Sequence, residues 1–178
     1  MSDKHFKTLP QEFQNEECEK YYSIIKSRYF AYILKRIFDY LVGLILLILL
    51  IIPIAVIAII VKCGSKGPVM FRQVRVGKYG KTFEIFKFRT MITEQPKGAT
   101  QITVGDDPRI TKAGKVLRKY RLDELPQIFN IIKGDMSFVG PRPEWTATTE
   151  QYSQNLPEFL FRLKVKAGLT GYAQVYGK

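Results

Sequence analysis

The hydrophobic positions of this chain are concentrated in one run, Leu41 to Val61, which contains no charged residue. Its length matches the roughly 20 apolar residues that a helix needs to cross the hydrocarbon core of a membrane. The run begins too far into the chain for a secretory signal, and no small-residue cleavage site follows it. A fully buried core helix is the alternative, but the length and purity of the run favour a membrane helix.

The residues alone do not decide whether this helix crosses the membrane or returns to the side on which it enters. Pro53 lies near its middle, removes a backbone donor and predicts a kink or break. Both flanks are basic, and the positive-inside rule places each of them in the cytoplasm. A helix broken at Pro53 that returns to its side of entry satisfies both flanks, and a spanning helix is the alternative. Aromatic and basic residues over Tyr29 to Tyr40 suit the headgroup region.

Shorter patterns after the apolar run predict a small mixed domain. Pro68 to Met91 contains two strand-like runs, PVMFRQVRV and KTFEIFKFRTM, separated by a glycine-bounded turn, and predicts a β-hairpin. Residues 93–107 are rich in Gly, Thr and Pro and predict a surface loop. A short helix is expected next, ending near Tyr120.

The following segment, RLDELPQIFNIIKGDMSFVGPRPE, combines a helix signature with candidate chemistry. Pro126 suits the first turn of a helix and Gly134 is placed to end it. Asp123 and Glu124 then lie at the helix N-terminus, where acids ordinarily act as caps. Basic residues on both sides support a second interpretation. A carboxylate pair can hold a divalent cation, and an ionised Asp can act as a nucleophile.

Composition narrows the chemistry that these residues can perform. The chain has 28 Lys plus Arg against 16 Asp plus Glu, and a net charge of +12 favours an anionic partner. The single histidine, His5, lies in a polar N-terminal stretch, so histidine catalysis and zinc binding are not expected. Cys18 and Cys63 lack metal-ligand spacing, and a reducing compartment is expected. Catalysis is then expected to depend on carboxylates, Arg and Lys.

Several long motifs, in order, resemble the bacterial sugar transferases, the monotopic polyprenol-phosphate phosphoglycosyl transferases. The similarity runs from about Lys35 to Lys178 and is carried by KRIFDY before the apolar run, FRQVRVGKYGKTFEIFKFRTM, DDPRITKAGKVLRKYRLDELPQIFNIIKGDMSFVGPRPE and VKAGLTGYAQVYGK.

The resemblance implies a compact α/β (α+β) catalytic domain with a small β-hairpin or sheet, and a re-entrant membrane helix broken at Pro53. The expected divisions are a polar extension over 1–25, the interfacial and re-entrant helix over 26–67, and the catalytic domain over 68–178. The expected location is the bacterial inner (cytoplasmic) membrane, with the catalytic domain on the cytoplasmic face. Family domains usually continue into further helices, so a C-terminally truncated domain is expected.

The implied reaction transfers a sugar-1-phosphate from a UDP-sugar to a polyprenyl phosphate, with undecaprenyl phosphate the expected acceptor. Asp123 would attack the β-phosphate, release UMP and carry the phosphosugar covalently, and Glu124 would assist. Asp123 and Glu124 would also hold Mg²⁺. The expected phosphate contacts are Lys87, Arg118, Arg142 and Lys166, and the expected membrane-anchoring residues are Lys35, Arg36, Asp39 and Pro53. Lys166 replaces an Arg found in some members, which keeps the charge but loses the bidentate fork.

Two other classes of function compete with this interpretation. A membrane-tethered nucleic-acid module would use the positive charge, but no RNP-like, helix-turn-helix or zinc signature is present, and no nucleic-acid partner is expected. A catalytically inactive scaffold of a glycan-assembly complex is the second alternative. The expected partners are a UDP-sugar, undecaprenyl phosphate and membrane lipids. The sequence leaves open the sugar, the glycan pathway and the oligomeric state.

Overall fold

The structure, a computed structural model, describes residues 28–92 and 107–177. The predicted polar extension over 1–25, with His5 and Cys18, and nearly all of the predicted loop over 93–107 lie outside the described residues. The described parts form a mixed arrangement of helices and two small sheets, preceded by one long apolar helix.

Helix α1, Tyr29–Gly64, contains the whole apolar run. Among the described residues it is the one helix long and apolar enough to cross a membrane. Its assignment continues through Pro53, so the predicted break is not confirmed. A proline removes one backbone donor, here from the carbonyl of Leu49, and local adjustment preserves the rest of the helix. Large apolar side chains on the middle of α1 are exposed, among them Ile48, Leu49, Ile51, Ile52 and Val56.

The predicted β-hairpin is confirmed. Strand β1, Met70–Val76, pairs antiparallel with β2, Thr82–Phe88, in a register that joins Met70 to Phe88 and Val76 to Thr82. A 3₁₀ turn at Lys78–Gly80 connects them. Buried and half-buried positions do not alternate regularly along β2, so both of its faces are partly covered.

Two predicted helices follow the hairpin and bracket the acidic pair. Helix α2, Lys112–Lys119, begins at Thr111, whose side-chain hydroxyl accepts a hydrogen bond from the Gly114 amide. Helix α3, Gln127–Lys133, begins after Pro126 and ends at Gly134, whose φ of 94° is the left-handed conformation that glycine adopts most readily. Between them, the acids lie in a separate 3₁₀ turn, Leu122–Glu124, and not in α3 itself.

The last part of the chain forms a second sheet that the sequence patterns do not predict. Strand β3, Met136–Val139, pairs in parallel with β4, Ala167–Thr170. The crossover between them consists of α4, Thr146–Asn155, and a 3₁₀ helix, Pro157–Lys164. Helix α5, Tyr172–Tyr176, follows β4.

Hydrophobic contacts attach α1 to the rest of the protein near its C-terminal end. Ile57 and Val61 of α1 form one buried cluster with Phe88 of β2 and Leu117 of α2. A second cluster lies under the two sheets and contains Ile85, Ile131, Met136 and Ala167. Strand β2 contributes to both clusters and therefore connects the membrane helix to the core that supports the acidic pair.

Candidate active site

The acidic pair is placed by a reversal of the chain between α2 and α3. Arg121 has a φ of 57° and a ψ of 21°, a left-handed conformation that is uncommon for a residue with a side chain. The 3₁₀ turn that follows presents Asp123 and Glu124 beside β2 rather than along the axis of α3. Neither acid makes a side-chain cap to these helices. The N-cap residues are instead Arg121 and Pro126, and both acids lie in the first turn of the 3₁₀ helix, so a capping hydrogen bond from either acid is not confirmed.

Glu124 is buried and surrounded by positive charge from three parts of the chain. Its Oε1 accepts hydrogen bonds from Lys87 Nζ at 2.7 Å and from Arg142 Nη2 at 3.2 Å. Arg121 Nη1 lies 4.0 Å from the same oxygen. Burial alone would raise the pKa of Glu124, but Lys87 and Arg142 outweigh it and hold the pKa below its usual range. Glu124 is therefore a fixed negative charge.

Asp123 has a different environment, although it is the adjacent residue. Its Oδ1 is buried and has no hydrogen-bond partner. Burial raises the pKa of Asp123, with Lys87 opposing the shift and the Glu124 charge adding to it. A buried carboxylate oxygen without a partner is costly in a folded protein and marks a position where a ligand or a reacting group can bind. Adjacent carboxyls with pKa values moved in opposite directions are typical of catalytic pairs.

The structure brings two of the four expected phosphate-binding residues to Glu124, namely Lys87 and Arg142. Arg118 lies on the same side, where its Nε donates to Thr90 Oγ1 at 2.8 Å, and it contributes to the field at Asp123. Lys166 is elsewhere. It lines a cavity of about 180 Å³ next to the N-terminal half of α1. The structure therefore does not bring Lys166 into contact with the acidic pair.

Three of the four expected anchoring residues, Lys35, Arg36 and Asp39, attach α1 to β3 and to the end of α3, whereas Pro53 is exposed in the middle of α1. Lys35 Nζ pairs with Asp39 Oδ2 at 3.1 Å and also donates to Ser137 Oγ. The Asp39 Oδ1 accepts a hydrogen bond from the Phe138 amide at 3.4 Å. Arg36 Nη1 donates to the carbonyl of Gly134 at 3.3 Å. These contacts form the α1 junction, defined here as Lys35, Arg36, Asp39, Ser137 and Gly134.

The described residues hold no group of three or more His, Cys, Asp or Glu side chains that could bind a metal by themselves. Asp123 and Glu124 still fit Mg²⁺, because this ion is commonly held by one or two carboxylates together with substrate phosphates and water. The unpartnered Oδ1 of Asp123 is the observation that supports the fit.

The sequence motifs miss three residues that surround Arg142. Arg75, Glu144 and Arg162 interact with one another and with the backbone of residues 142–143. They come from β1, from the segment after Arg142 and from the last 3₁₀ helix. No spacing in the sequence indicates this meeting, because the contacts join distant parts of the chain.

Comparison with known proteins agrees with the resemblance carried by these motifs. Residues 30–178 match the family model described as bacterial sugar transferase. The chain is 47% identical over 146 residues to a UDP-glucose:undecaprenyl-phosphate glucose-1-phosphate transferase of Escherichia coli, covering 82% of this chain and 31% of that protein. It is 42% identical over 153 residues to a UDP-N-acetylgalactosamine-undecaprenyl-phosphate N-acetylgalactosaminephosphotransferase of Aeromonas hydrophila, covering 86% of this chain and 36% of that one.

A shorter relative matches over most of its own length. An uncharacterized sugar transferase of Bacillus subtilis is 41% identical over 146 residues, which are 82% of this chain and 70% of that protein. The chain thus spans about a third of the length of the first two relatives and most of the length of the third. The similarity covers the helix α1 and the acidic pair alike.

Proposed function

Because the chain belongs to the bacterial sugar transferase family, we propose that it is an enzyme that transfers a sugar-1-phosphate from a UDP-sugar to a polyprenyl phosphate. Undecaprenyl phosphate is the proposed acceptor, since two relatives carry that substrate in their names. The reaction would be the first membrane step in the synthesis of a bacterial glycoconjugate. The observation that carries the proposal is the half-buried Asp123, with an unpartnered oxygen, beside a Glu124 that is fixed by Lys87 and Arg142.

In the proposed chemistry, Asp123 is the nucleophile. Its carboxylate oxygen attacks the β-phosphorus of the UDP-sugar, and the bond from that phosphorus to the bridging oxygen breaks, so UMP leaves with the electron pair. The phosphosugar is then an acyl phosphate on Asp123. An oxygen of the polyprenyl phosphate attacks the same phosphorus, and the Asp123 carboxylate is released unchanged.

The surrounding cations support this role by their positions. Lys87 and Arg142 both contact Glu124 Oε1, and the Arg142 side chain is 37% exposed, so part of its guanidinium is available to anionic ligands. Phosphoryl transfer depends mainly on positioning and on neutralising the charge of the phosphate oxygens. Asp123 and Glu124 would hold Mg²⁺, which supplies part of that neutralisation when bound.

The membrane topology that we propose is re-entrant, at the cytoplasmic face of the inner membrane. Asp39 near the beginning of α1 and Val61 near its end both contact the domain that carries the acidic pair. Pro53 lies between these two contacts, in the stretch where most side chains are exposed. Both basic flanks are then on the side of the catalytic domain.

The reaction is tested by UMP release from a panel of UDP-sugars, with Mg²⁺ and undecaprenyl phosphate, from wild type, Asp123→Asn and the control Glu150→Gln on an exposed part of α4. We expect UMP from one or a few sugars, loss of at least about a thousandfold in Asp123→Asn, and full activity in the control. Intact mass without acceptor should show a phosphosugar on wild type alone. UMP without that adduct would rule out the covalent route.

Absence of UMP has two meanings that a longer version of the protein separates. UMP from a version extended beyond Lys178 would keep the reaction and assign it to more of the chain than is present here. Absence from both versions would contradict the transferase proposal and favour the inactive scaffold.

The topology is tested with the exposed Cys63 at the end of α1 and a second cysteine introduced as Arg28→Cys, each alone in a chain lacking Cys18. A membrane-impermeant thiol reagent should label both from the same side. Labelling from opposite sides would establish a spanning helix.

A further inference from the structure

The segment that carries Arg142, residues 141–144, is held by hydrogen bonds to its backbone carbonyls. Four successive carbonyls, from Pro141 to Glu144, each accept a hydrogen bond from a different donor. The donors are the Gly168 amide to Pro141 at 2.9 Å, Arg162 Nη2 to Arg142 at 2.6 Å, Arg75 Nη1 to Pro143 at 3.3 Å, and the Val76 amide to Glu144 at 2.9 Å. Two of these donors are backbone amides and two are arginine side chains.

The two arginines are themselves fixed by the segment that they hold. The Glu144 carboxylate lies 4.0 Å from Arg75 Nη1 and 3.7 Å from Arg162 Nη2, so it pairs with both. Aromatic rings complete the arrangement, because Arg75 lies over the Trp145 ring and Arg162 over the Phe159 ring. We call Arg75, Glu144 and Arg162 the arginine clamp.

Charge and burial indicate what Glu144 contributes to the clamp. Burial lowers the pKa of Arg75 to about 10, and the Glu144 charge opposes that shift. An arginine that is largely out of water needs hydrogen-bond acceptors and a counter-charge, and the Pro143 carbonyl and Glu144 supply them. Removing Glu144 takes the counter-charge from both arginines, which keep their hydrogen bonds to backbone carbonyls.

The same segment is fixed on its other side by close backbone contacts between glycines. Gly140 donates its amide to the Thr170 carbonyl at 2.9 Å. A side chain at Gly140 or Gly168 would collide with backbone atoms of the other strand. Residues 140–144 therefore have little freedom to shift, and the direction of the Arg142 side chain is set by this frame.

We propose that Arg162 and Arg75 are positioning residues, which hold the carbonyls of Arg142 and Pro143 so that the Arg142 guanidinium is directed toward Glu124 and the substrate phosphates. The inference rests on the proposed transfer reaction, because that reaction gives Arg142 its ligand. The clamp itself touches neither Asp123 nor Glu124 by a hydrogen bond or ion pair among the described residues. The charge of Arg75 also interacts with that of Glu124, so the indirect route through Arg142 is tested at Arg162.

A double-mutant cycle tests this route. Arg162→Gln should lower kcat/KM for UMP release about tenfold, whereas in an Arg142→Gln background the same change should have almost no further effect. Arg162→Lys, which can still donate to the carbonyl, should recover most of the loss. The matched control is Arg72→Gln, an exposed arginine on the same strand as Arg75 that pairs with the exposed Glu84 and lies over the Phe86 ring. An equal loss in both backgrounds would overturn the proposal.

Hydrogen exchange tests the clamp independently of catalysis. The amides of Val76 and Gly168 donate to the Glu144 and Pro141 carbonyls, so Arg162→Gln should speed their exchange while Arg72→Gln should not. Unchanged exchange in a folded Arg162→Gln protein would overturn the clamp. If neither this chain nor a version extended beyond Lys178 released UMP, the proposed function would fail, and the exchange result would still decide whether the clamp exists.

Discussion

Asp39 is buried, Asp123 is half-buried and both lie near a lysine, yet the two carboxylates differ in how their oxygens are hydrogen-bonded. Both oxygens of Asp39 are partnered, by Lys35 Nζ and by the Phe138 amide. The Oδ1 of Asp123 has no partner, and Lys87 pairs with the neighbouring Glu124 instead. Both oxygens of Asp39 therefore have hydrogen-bond donors, whereas one buried oxygen of Asp123 has none.

The difference separates a structural contact from a reactive one. A carboxylate whose acceptor positions are all filled stabilises the attachment of two elements, here α1 and β3. A buried carboxylate oxygen without a hydrogen-bond donor costs free energy, and the contacts within the fold do not offset that cost. Asp39 is buried and Asp123 is half-buried, and the clearest difference between them is that one oxygen of Asp123 has no hydrogen-bond partner.

After the loss expected from changing Asp123 itself, the largest effect should come from removing Lys87, which pairs with Glu124. Lys87→Met takes the nearest cation from Glu124 and from the expected phosphate path, so kcat for UMP release should fall about a hundredfold, or ~2.7 kcal/mol. Steady-state kinetics with the preferred UDP-sugar measure it. A loss smaller than about threefold would show that Lys87 serves the fold rather than the reaction.

The α1 junction should respond in stability rather than in turnover. Asp39→Asn weakens the pairing with Lys35, and we expect a loss of about 2 kcal/mol in the free energy of unfolding. In a chain of this size that corresponds to a fall of about 4–8 °C in Tm. Thermal unfolding in detergent and kcat per folded molecule are the two readouts. A large fall in kcat at unchanged Tm would erase the distinction between the two aspartates.

The smallest expected effect is a difference between Asp123 and Glu124 in how each contributes to the pH dependence of stability. The pKa of Glu124 is lowered, so its contribution to stability is complete above its unfolded pKa and is lost as pH falls through the folded value. The pKa of Asp123 is raised, so its contribution has the opposite sign and stability declines as pH rises through its titration.

Thermal unfolding in EDTA, from about pH 3 to about pH 7, measures this contrast. Glu124→Gln should flatten the acid-side loss of stability, and Asp123→Asn should make it steeper. The same change of slope in both variants would contradict the opposite environments assigned to these carboxyls.

Local patterns predict the parts of the fold whose determinants are close in sequence. The hairpin follows from alternating strands around a glycine turn, and α3 follows from Pro126 and Gly134. Local patterns do not predict the parallel pairing of β3 with β4, because each strand is four residues long and its partner lies far along the chain. A short strand has too few positions to show a period.

The residues of the site divide in the same way, into those that local motifs predict and those whose position depends on distant parts of the chain. Motifs indicate Lys87, Glu124 and Arg142, and the structure brings these three together. Lys166 is placed with them by its motif, but the structure puts it beside α1. The left-handed Arg121 places the acids in a 3₁₀ turn of their own rather than in α3, and residue propensities do not reveal this turn.

Strand β2 carries Lys87 toward Glu124, and its next residue, Phe88, packs against Ile57 and Val61 of α1. A soluble fragment made by deleting α1 would therefore expose Phe88 and Leu117 to water and remove the carbonyl of Val61, which accepts a hydrogen bond from the buried Arg89. Exposed apolar surface of this kind promotes aggregation. Efforts to crystallise or to screen inhibitors without the membrane segment should redesign these contacts, or keep α1 within a lipid nanodisc.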